Sequence, residues 1–271
     1  MARDVVIIGA ARTPFDTFGG PLRSMTTVQL AKVASIEAMK RAKVDPSEVE
    51  EYYLGINMPT QNRSIARQAA LESEIPVDTC NQLTVDRACC SSFAAIAMAY
   101  RAIALGEAVV AMGGGAENMS NIPYFVSDLR WGKRLGNITL QDIMIVACPY
   151  TGEPRAVQAG KGAVKYGVTR EEQDQWAFRS QQLYAKAAAE GKFAEEIIPI
   201  TLPGKKGDTV IDKDQSPRPD TTLEDLAKLK TVYNSPTVTA GNAPGLSTGA
   251  AMVVLMDKEE AEKRGIKPIF G

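Results

Sequence analysis

Cys89 and Cys90 stand immediately before a segment in which Phe93, Ile96, Ala97, Tyr100, Ile103 and Ala104 recur at helical spacing. A thiol just ahead of a helix faces the positive end of the macrodipole, where an anion is favoured. This makes Cys89 a candidate nucleophile. The dipole contributes only roughly 0.3–1 kcal/mol, less than the ~1.4 kcal/mol of a tenfold change, so a nucleophilic thiol also needs a base or cation beside it. That group is usually His, and the 271 residues contain none. Position alone leaves a second reading open, in which Cys89 and Cys90 are small buried residues beside an Ala-rich helix.

Other chemistries find less support. The four cysteines, Cys80, Cys89, Cys90 and Cys148, form no Cys-x-x-Cys pair, and without imidazole a Cys/His zinc site is not expected. Free thiols in a reducing compartment are the expectation. Gly113-Gly114-Gly115 follows a strand-like run, but it lacks the Gly-x-x-x-x-Gly-Lys-Ser/Thr spacing of a phosphate loop. Gly9-Ala-Ala-Arg12 likewise lacks Gly-x-Gly-x-x-Gly. Tight strand exits and close backbone packing are the preferred reading of these glycines.

The elements that must position Cys89 read as α/β. Asp4 to Ala10 is a buried-strand pattern, and Thr26 to Ala42 carries Val28, Leu30, Ala31, Val33, Ala34 and Ala38 largely at helical spacing. A strand at Glu51 to Asn57, a helix at Ser64 to Ser73 and a short strand at Gln82 to Val85 follow. The helix after Cys89 is expected to have Ser91-Ser92 as capping residues and one continuous apolar face. Ala108 to Met112 reads as a strand running into the glycines. The composition then changes, with a helix from Arg170 to Glu190 introduced by Thr169 and Glu172, and a loop-like Pro203 to Pro219. Ala250 to Met256 is a late strand, followed by a charged helix from Lys258 to Arg264 that Gly265 stops.

Lys and Arg total 31 against 32 Asp and Glu, a net charge of −1, and the short basic run Lys205-Lys206 lies near acids, so nucleic-acid binding is disfavoured. With 45% hydrophobic residues the chain can bury a core. Ala88 to Tyr100 is too short to span a bilayer, and Thr231 to Met256 is broken by Pro, Gly, Asn and Ser, so no membrane partner is expected. The start Met-Ala-Arg-Asp runs directly into a strand without signal-peptide features, and a cytoplasmic location is expected.

Taken together, several segments resemble the thiolase family and occur in family order. They are Ile8-Gly-Ala-Ala-Arg-Thr-Pro-Phe15 with Phe18-Gly-Gly-Pro-Leu22, Thr84-Val-Asp-Arg-Ala-Cys-Cys-Ser-Ser92, and Gly114-Gly-Ala-Glu-Asn-Met-Ser120 with Pro123-Tyr124. Arg170-Glu-Glu-Gln-Asp174, and Thr237-Val-Thr-Ala-Gly-Asn-Ala243 with Gly249-Ala-Ala251, complete the series. The resemblance covers the N-terminal half and inserted loop domain of a family chain. It implies a thiolase-type layered α/β fold, one βαβαβαββ half with a mixed sheet, in which 1–118 and 238–271 form the core. Residues 119–237 would be the inserted loop domain covering coenzyme A.

The resemblance further implies that Cys89 is the acylated nucleophile of an acyltransferase working on 3-oxoacyl-CoA, with CoA as substrate and no metal or other cofactor. Arg218 matches an arginine lying against the adenine nucleotide, and Ala243 an alanine lining the CoA path. Pro244 stands where the family has a serine that hydrogen-bonds the pantetheine, and proline has no donor. Asp86 and Ser92 replace a family Asn and Gly, and Pro154-Arg155-Ala156 stands where the family has His-Met-Gly facing the pantetheine. The family's Asn-Glu-Ala-Phe, Gly-His-Pro and Cys-x-Gly segments do not occur, and the sequence ends at the family's half junction. The expectation is therefore a split thiolase: a second subunit supplies the C-terminal half with its His and Cys, and self-association gives α2β2. A non-catalytic acyl-CoA-binding or scaffold subunit is the alternative, and a third reading is that the sequence is a piece of a full-length enzyme. Ketoacyl synthases and hydroxymethylglutaryl-CoA synthases are the enzymatic runners-up, disfavoured by the loop-domain segments.

Overall fold

A computed structural model describes residues 2–58, 63–145, 148–205 and 207–270. Lys206 of the basic run and Gly271 lie outside the described residues. The strands in chain order are β1 (Val5–Arg12), β2 (Asp16–Thr17), β3 (Glu51–Gly55), β4 (Asn81–Val85), β5 (Val110–Asn118), β6 (Tyr124–Phe125), β7 (Gln141–Asp142), β8 (Ile200–Leu202), β9 (Thr209–Ile211) and β10 (Ser247–Asp257). The helices are α1 (Thr27–Ala42), α2 (Ile65–Glu72), α3 (Ser91–Ala104), α4 (Arg155–Lys165), α5 (Arg170–Ala189), α6 (Leu223–Lys228) and α7 (Lys258–Lys263).

The chain divides into two compact units. One comprises Met1–Asn121, Glu195–Gln215 and Ser247–Gly271, and the other Ile122–Ala194 and Ser216–Leu246. These boundaries differ from the expected single insertion over 119–237, because Glu195–Gln215 groups with the first unit. Ile200 and Ile211, paired across β8 and β9, are buried in that unit's core, and Arg12 holds Glu196 at 3.0 Å and Asp214 at 2.7 Å. Pro203 to Pro219, expected as loop, thus contains β9, a strand too short for a two-residue alternation to announce.

The first unit is built on a mixed sheet in the order β1-β10-β5-β3-β4, with β2 pairing β10. β10 runs antiparallel to β1 and β5, while β3 runs parallel to β5 and β4. α1 begins with a capping box in which Gln29 N–H donates to Thr26 Oγ1 and Thr26 N–H to Gln29 Oε1. Its residues Leu30, Ala31, Ala34 and Ala38 are fully buried in a cluster with Met112, Ala116 and Val254 of the sheet. Ser35 of α1 reaches the buried Tyr52 hydroxyl at 2.8 Å, which satisfies both polar groups within the core.

The other face of the sheet carries α3, and here two expectations are corrected. Gly113, Gly114 and Gly115 lie inside β5, not at its exit. A Cβ at Gly115 would come 2.6 Å from Ser92 Cβ, and one at Gly113 2.7 Å from Ile96 Cα, so the glycines let α3 lie almost on the strand. So close an approach favours small side chains at the contact. α3 accordingly buries Ala95, Ala99, Ala102 and Ile103, while Phe93 and Tyr100, expected on the packed face, remain 74% and 50% exposed.

The second unit holds β6 paired with β7, and α4, α5 and α6. Thr169 and Glu172 form the expected capping box of α5. α4, which includes Arg155 and Ala156, had no counterpart in the sequence reading. No described helix in either unit is long and apolar enough to cross a membrane.

Candidate active site

Cys89 lies in the turn that carries the chain from β4 into α3. Asp86 Oδ1 accepts the Ala88 N–H at 3.0 Å, and Ala88 takes a left-handed φ of 51°, which reverses the backbone. Ser91 ties the turn to the helix, since its hydroxyl donates to Ala88 O at 2.6 Å and accepts Arg87 N–H at 2.8 Å. Ser91-Ser92 are therefore not the caps that the sequence suggested. Cys90 is the N-cap, without a side-chain cap bond, and Ser91 is the first helical residue, its hydroxyl engaged by the preceding turn. Cys89 sits one residue ahead of the cap, exposed and free. Its thiol has the favourable end of the α3 dipole.

The floor beneath this turn follows from strand alternation. Gly113 and Gly115 meet Ile96 and Ser92, so the next position on the same face of β5, Glu117, falls at the approach to the α3 N-terminus. Glu117 Oε2 accepts N–H groups of Asn57 and Met58, just after β3, at 2.9 and 3.3 Å. Its buried Oε1 has no hydrogen-bond partner among the described residues. Burial first, and the Asp86 charge in addition, hold the Glu117 carboxyl above the usual carboxylate range, against the pull of the two N–H groups. No sequence motif singles out Glu117, although the two-residue period from Gly115 places it on the face of β5 that carries α3.

Arg218, Ala243 and Pro244 belong to the second unit. The Arg218 backbone N–H donates to Gln181 Oε1 at 2.8 Å, and its carbonyl accepts from Thr221, which fixes the main chain and leaves the side chain exposed. Ala243 is half-buried and Pro244 exposed. Just before them, Asn242 is anchored: its amide donates to Asp174 Oδ1 at 3.0 Å, and its Oδ1 accepts Thr239 N–H at 2.8 Å. Asp174 also takes Arg170 Nε at 2.8 Å, and Arg170 reaches Leu226 O at 2.7 Å. The second unit thus brings the Arg170 to Asp174 and Thr237 to Ala243 segments together around one buried carboxylate, a convergence that sequence reasoning missed. No described group of three or more His, Cys, Asp or Glu is placed to hold a metal ion.

Residues 5–259 match the family described as thiolase, N-terminal domain. An acetyl-CoA acetyltransferase of Syntrophomonas wolfei is 38% identical over 276 residues, covering 99% of this chain and 69% of that protein. The crystal structure of the Bacillus anthracis acetyl-CoA acetyltransferase superposes with a TM-score of 0.94 at 40% identity, covering 98% of this chain and 68% of that one. That of human mitochondrial 3-ketoacyl-CoA thiolase in complex with CoA gives 0.91 at 36%, covering 99% and 68%. With that breadth of match in sequence and in fold, the chain belongs to the thiolase family, whose acyltransferases act on acyl-CoA.

Proposed function

We propose that this chain is the nucleophile-bearing subunit of a two-polypeptide thiolase, with Cys89 as the residue acylated. The observation that carries the reading is the exposed Cys89 thiol at the start of α3 in a chain of 271 residues without a single His. In the thiolysis direction Cys89 Sγ attacks the 3-oxo carbonyl of a 3-oxoacyl-CoA. The C2–C3 bond then breaks, and the acetyl-CoA carbanion takes a proton from an acid on the second polypeptide, the family's second Cys. CoA passes its thiol proton to the second Cys and attacks the acyl-Cys89 thioester as thiolate, releasing the shortened acyl-CoA, and the departing Cys89 thiolate takes its proton back from the His. The reverse sequence is a Claisen condensation. The second polypeptide also supplies the His that takes the Cys89 proton.

The exposed Phe93 and Tyr100 face of α3 supports a covering partner, because apolar side chains of that size are seldom left in water as a patch. Self-association of the first unit would then give α2β2. Coenzyme A is the substrate, with Arg218 toward the adenine nucleotide and Ala243 and Pro244 along its path, the second unit serving as its cover. No metal or prosthetic group is invoked. The four free thiols suit a reducing compartment such as the cytoplasm.

A second reading, a non-catalytic acyl-CoA-binding or scaffold subunit, draws on Asp86, whose carboxylate caps the nucleophile turn and puts negative charge where a thiolate must form. Native mass spectrometry of the chain purified from its own cells decides the partner question: a co-purifying chain with Gly-His-Pro and Cys-x-Gly segments in fixed stoichiometry is expected. A chain that elutes alone, or a complex in which Cys89→Ser keeps near-normal thiolysis, overturns the catalytic reading. Stoichiometric acylation of Cys89 by an acyl-CoA excludes the scaffold.

A further inference from the structure

Glu117 is a half-buried residue whose Oε1 is shielded from water, and the reaction outlined above does not use it. It is tied on one side only: Oε2 accepts from Asn57 and Met58 beyond β3, while Oε1 has no partner among the described residues. Its strand position places it on the α3 face, one step past Gly115, whose surface Ser92 covers. β4, the strand that delivers Asp86 to Cys89, is hydrogen-bonded to β3, the strand that delivers Asn57 and Met58. Ile56 N–H also donates to Val85 O at 3.0 Å, which extends that pairing to the foot of the nucleophile turn. Glu117 therefore braces, from the neighbouring strand β5, the β3 exit, which is itself hydrogen-bonded to the β4 exit that leads to Cys89.

We propose that Glu117 is a positioning residue for the Cys89 nucleophile, acting through the strand exits at Asn57–Met58 and Val85–Asp86. The inference rests on reading Cys89 as the nucleophile. A buried carboxylate with one oxygen unpartnered is expensive as an anion, and the nearby Asp86 charge adds to that cost. In either protonation state Glu117 Oε2 can accept the Asn57 and Met58 N–H groups, so the brace depends on the shape of the side chain and not on its charge. Asp86 is the charged group that acts on it; Asn57 and Met58 from the β3 exit and Gly249, its partner on β10, carry none.

Site-resolved alkylation of the full chain by iodoacetamide, read by peptide mass spectrometry, tests this without reference to catalysis, and Cys148 in the second unit serves as the internal control. Glu117→Ala slows Cys89 alkylation by about fivefold or more, since misplacing a reactive group by a fraction of an ångström is costly. Glu117→Gln, neutral and of the same shape, recovers the rate to within about twofold, and Cys148 reacts alike in all three. Equal Cys89 rates in Glu117→Ala and the native chain overturn the proposal, as does a Gln variant as slow as the Ala variant. Should Glu117→Ala fail to fold, Glu117→Asp replaces it: its shorter carboxyl withdraws from Asn57 and Met58, so Asp must be slower than Gln, and equality refutes the role. If alkylation follows this pattern while no acyl group reaches Cys89 in the complex, the proposed reaction fails and the role of Glu117 stands. Acylation of Cys89 with alkylation indifferent to Glu117 sinks this inference alone.

Discussion

Asn242 donates its side-chain amide to Asp174 across 68 residues of sequence, and Asp174 is at the same time the ion-pair partner of Arg170 one helical turn away. The carboxylate is almost wholly buried, so it holds the segment carrying Ala243 and Pro244 against α5 through charge-assisted bonds.

Removing Asp174 leaves the Arg170 guanidinium and the Asn242 amide without their shared acceptor. Asp174→Ala is expected to cost about 3 kcal/mol, the low end of the range for breaking a buried charged pair. Asp174→Asn should cost less, since it keeps the shape but loses the charge. Thermal unfolding of the two variants checks the order, and a loss below about 1 kcal/mol for Asp174→Ala would contradict the anchoring role.

Gly115→Val should destabilise the first unit by about 1–3 kcal/mol or more, because the new side chain meets Ser92 where α3 touches β5. The damage is directional, since pushing α3 off the strand moves Cys90 and Ser91 with it. The variant is therefore expected to lose Cys89 acylation at temperatures where its circular dichroism is still native. Retained acylation by a folded variant would show that this contact is dispensable for the site.

Phe93→Ser and Tyr100→Ser together should leave the thermal midpoint of the isolated chain within about a degree, since both side chains already stand in water. The same pair should weaken assembly with the second polypeptide by about 2 kcal/mol or more, as buried aromatic anchors do. Analytical ultracentrifugation against the native complex reads the difference. Unweakened assembly would place the partner elsewhere on the chain.

Cys148 and Cys80 provide a pH contrast within one chain. Backbone N–H groups of Tyr150 and then Thr151, aided by the side chains of Thr151 and Gln158, stabilise the Cys148 thiolate and bring its pKa down to about 7. Burial pushes Cys80 up to about 11, although Gln82 pulls the other way. At pH 8 most of Cys148 is thiolate, whereas Cys80 has about one part in a thousand. Alkylation of Cys148 should rise through pH 7 and level off by pH 9, while Cys80 remains unlabelled in the folded chain. Comparable labelling of the two at pH 8 would contradict both environments.

What the sequence made legible was local. The α1 stripe and the Thr169–Glu172 cap each depend on residues within a few turns, and the structure reproduces them. α3 was legible as a helix, but its packed face was not. Large apolar residues normally mark the buried stripe, and here the close approach to the β5 glycines buries mainly alanines, with Ile103 the one large side chain fully covered. A glycine run signals a strand exit unless the helix that lies on it is already known, so the packing role of these three is not written in the local sequence. The position of Cys89 ahead of α3 was readable from spacing alone. The brace at Glu117 and the anchor at Asp174 join segments distant in sequence, which no local pattern encodes.

β10 occupies the place between β1 and β5, antiparallel to each, so the two inner edges that it joins come from the beginning and the middle of the chain. On a ribosome β1 and β5 are made first and must wait for Asp257 before their shared neighbour exists. At about 5–20 residues per second that wait is on the order of ten seconds or more, with two strand edges open throughout. The nascent chain thus carries two strand edges that invite mispairing during synthesis, and the second unit, made entirely within that interval, is free to fold first.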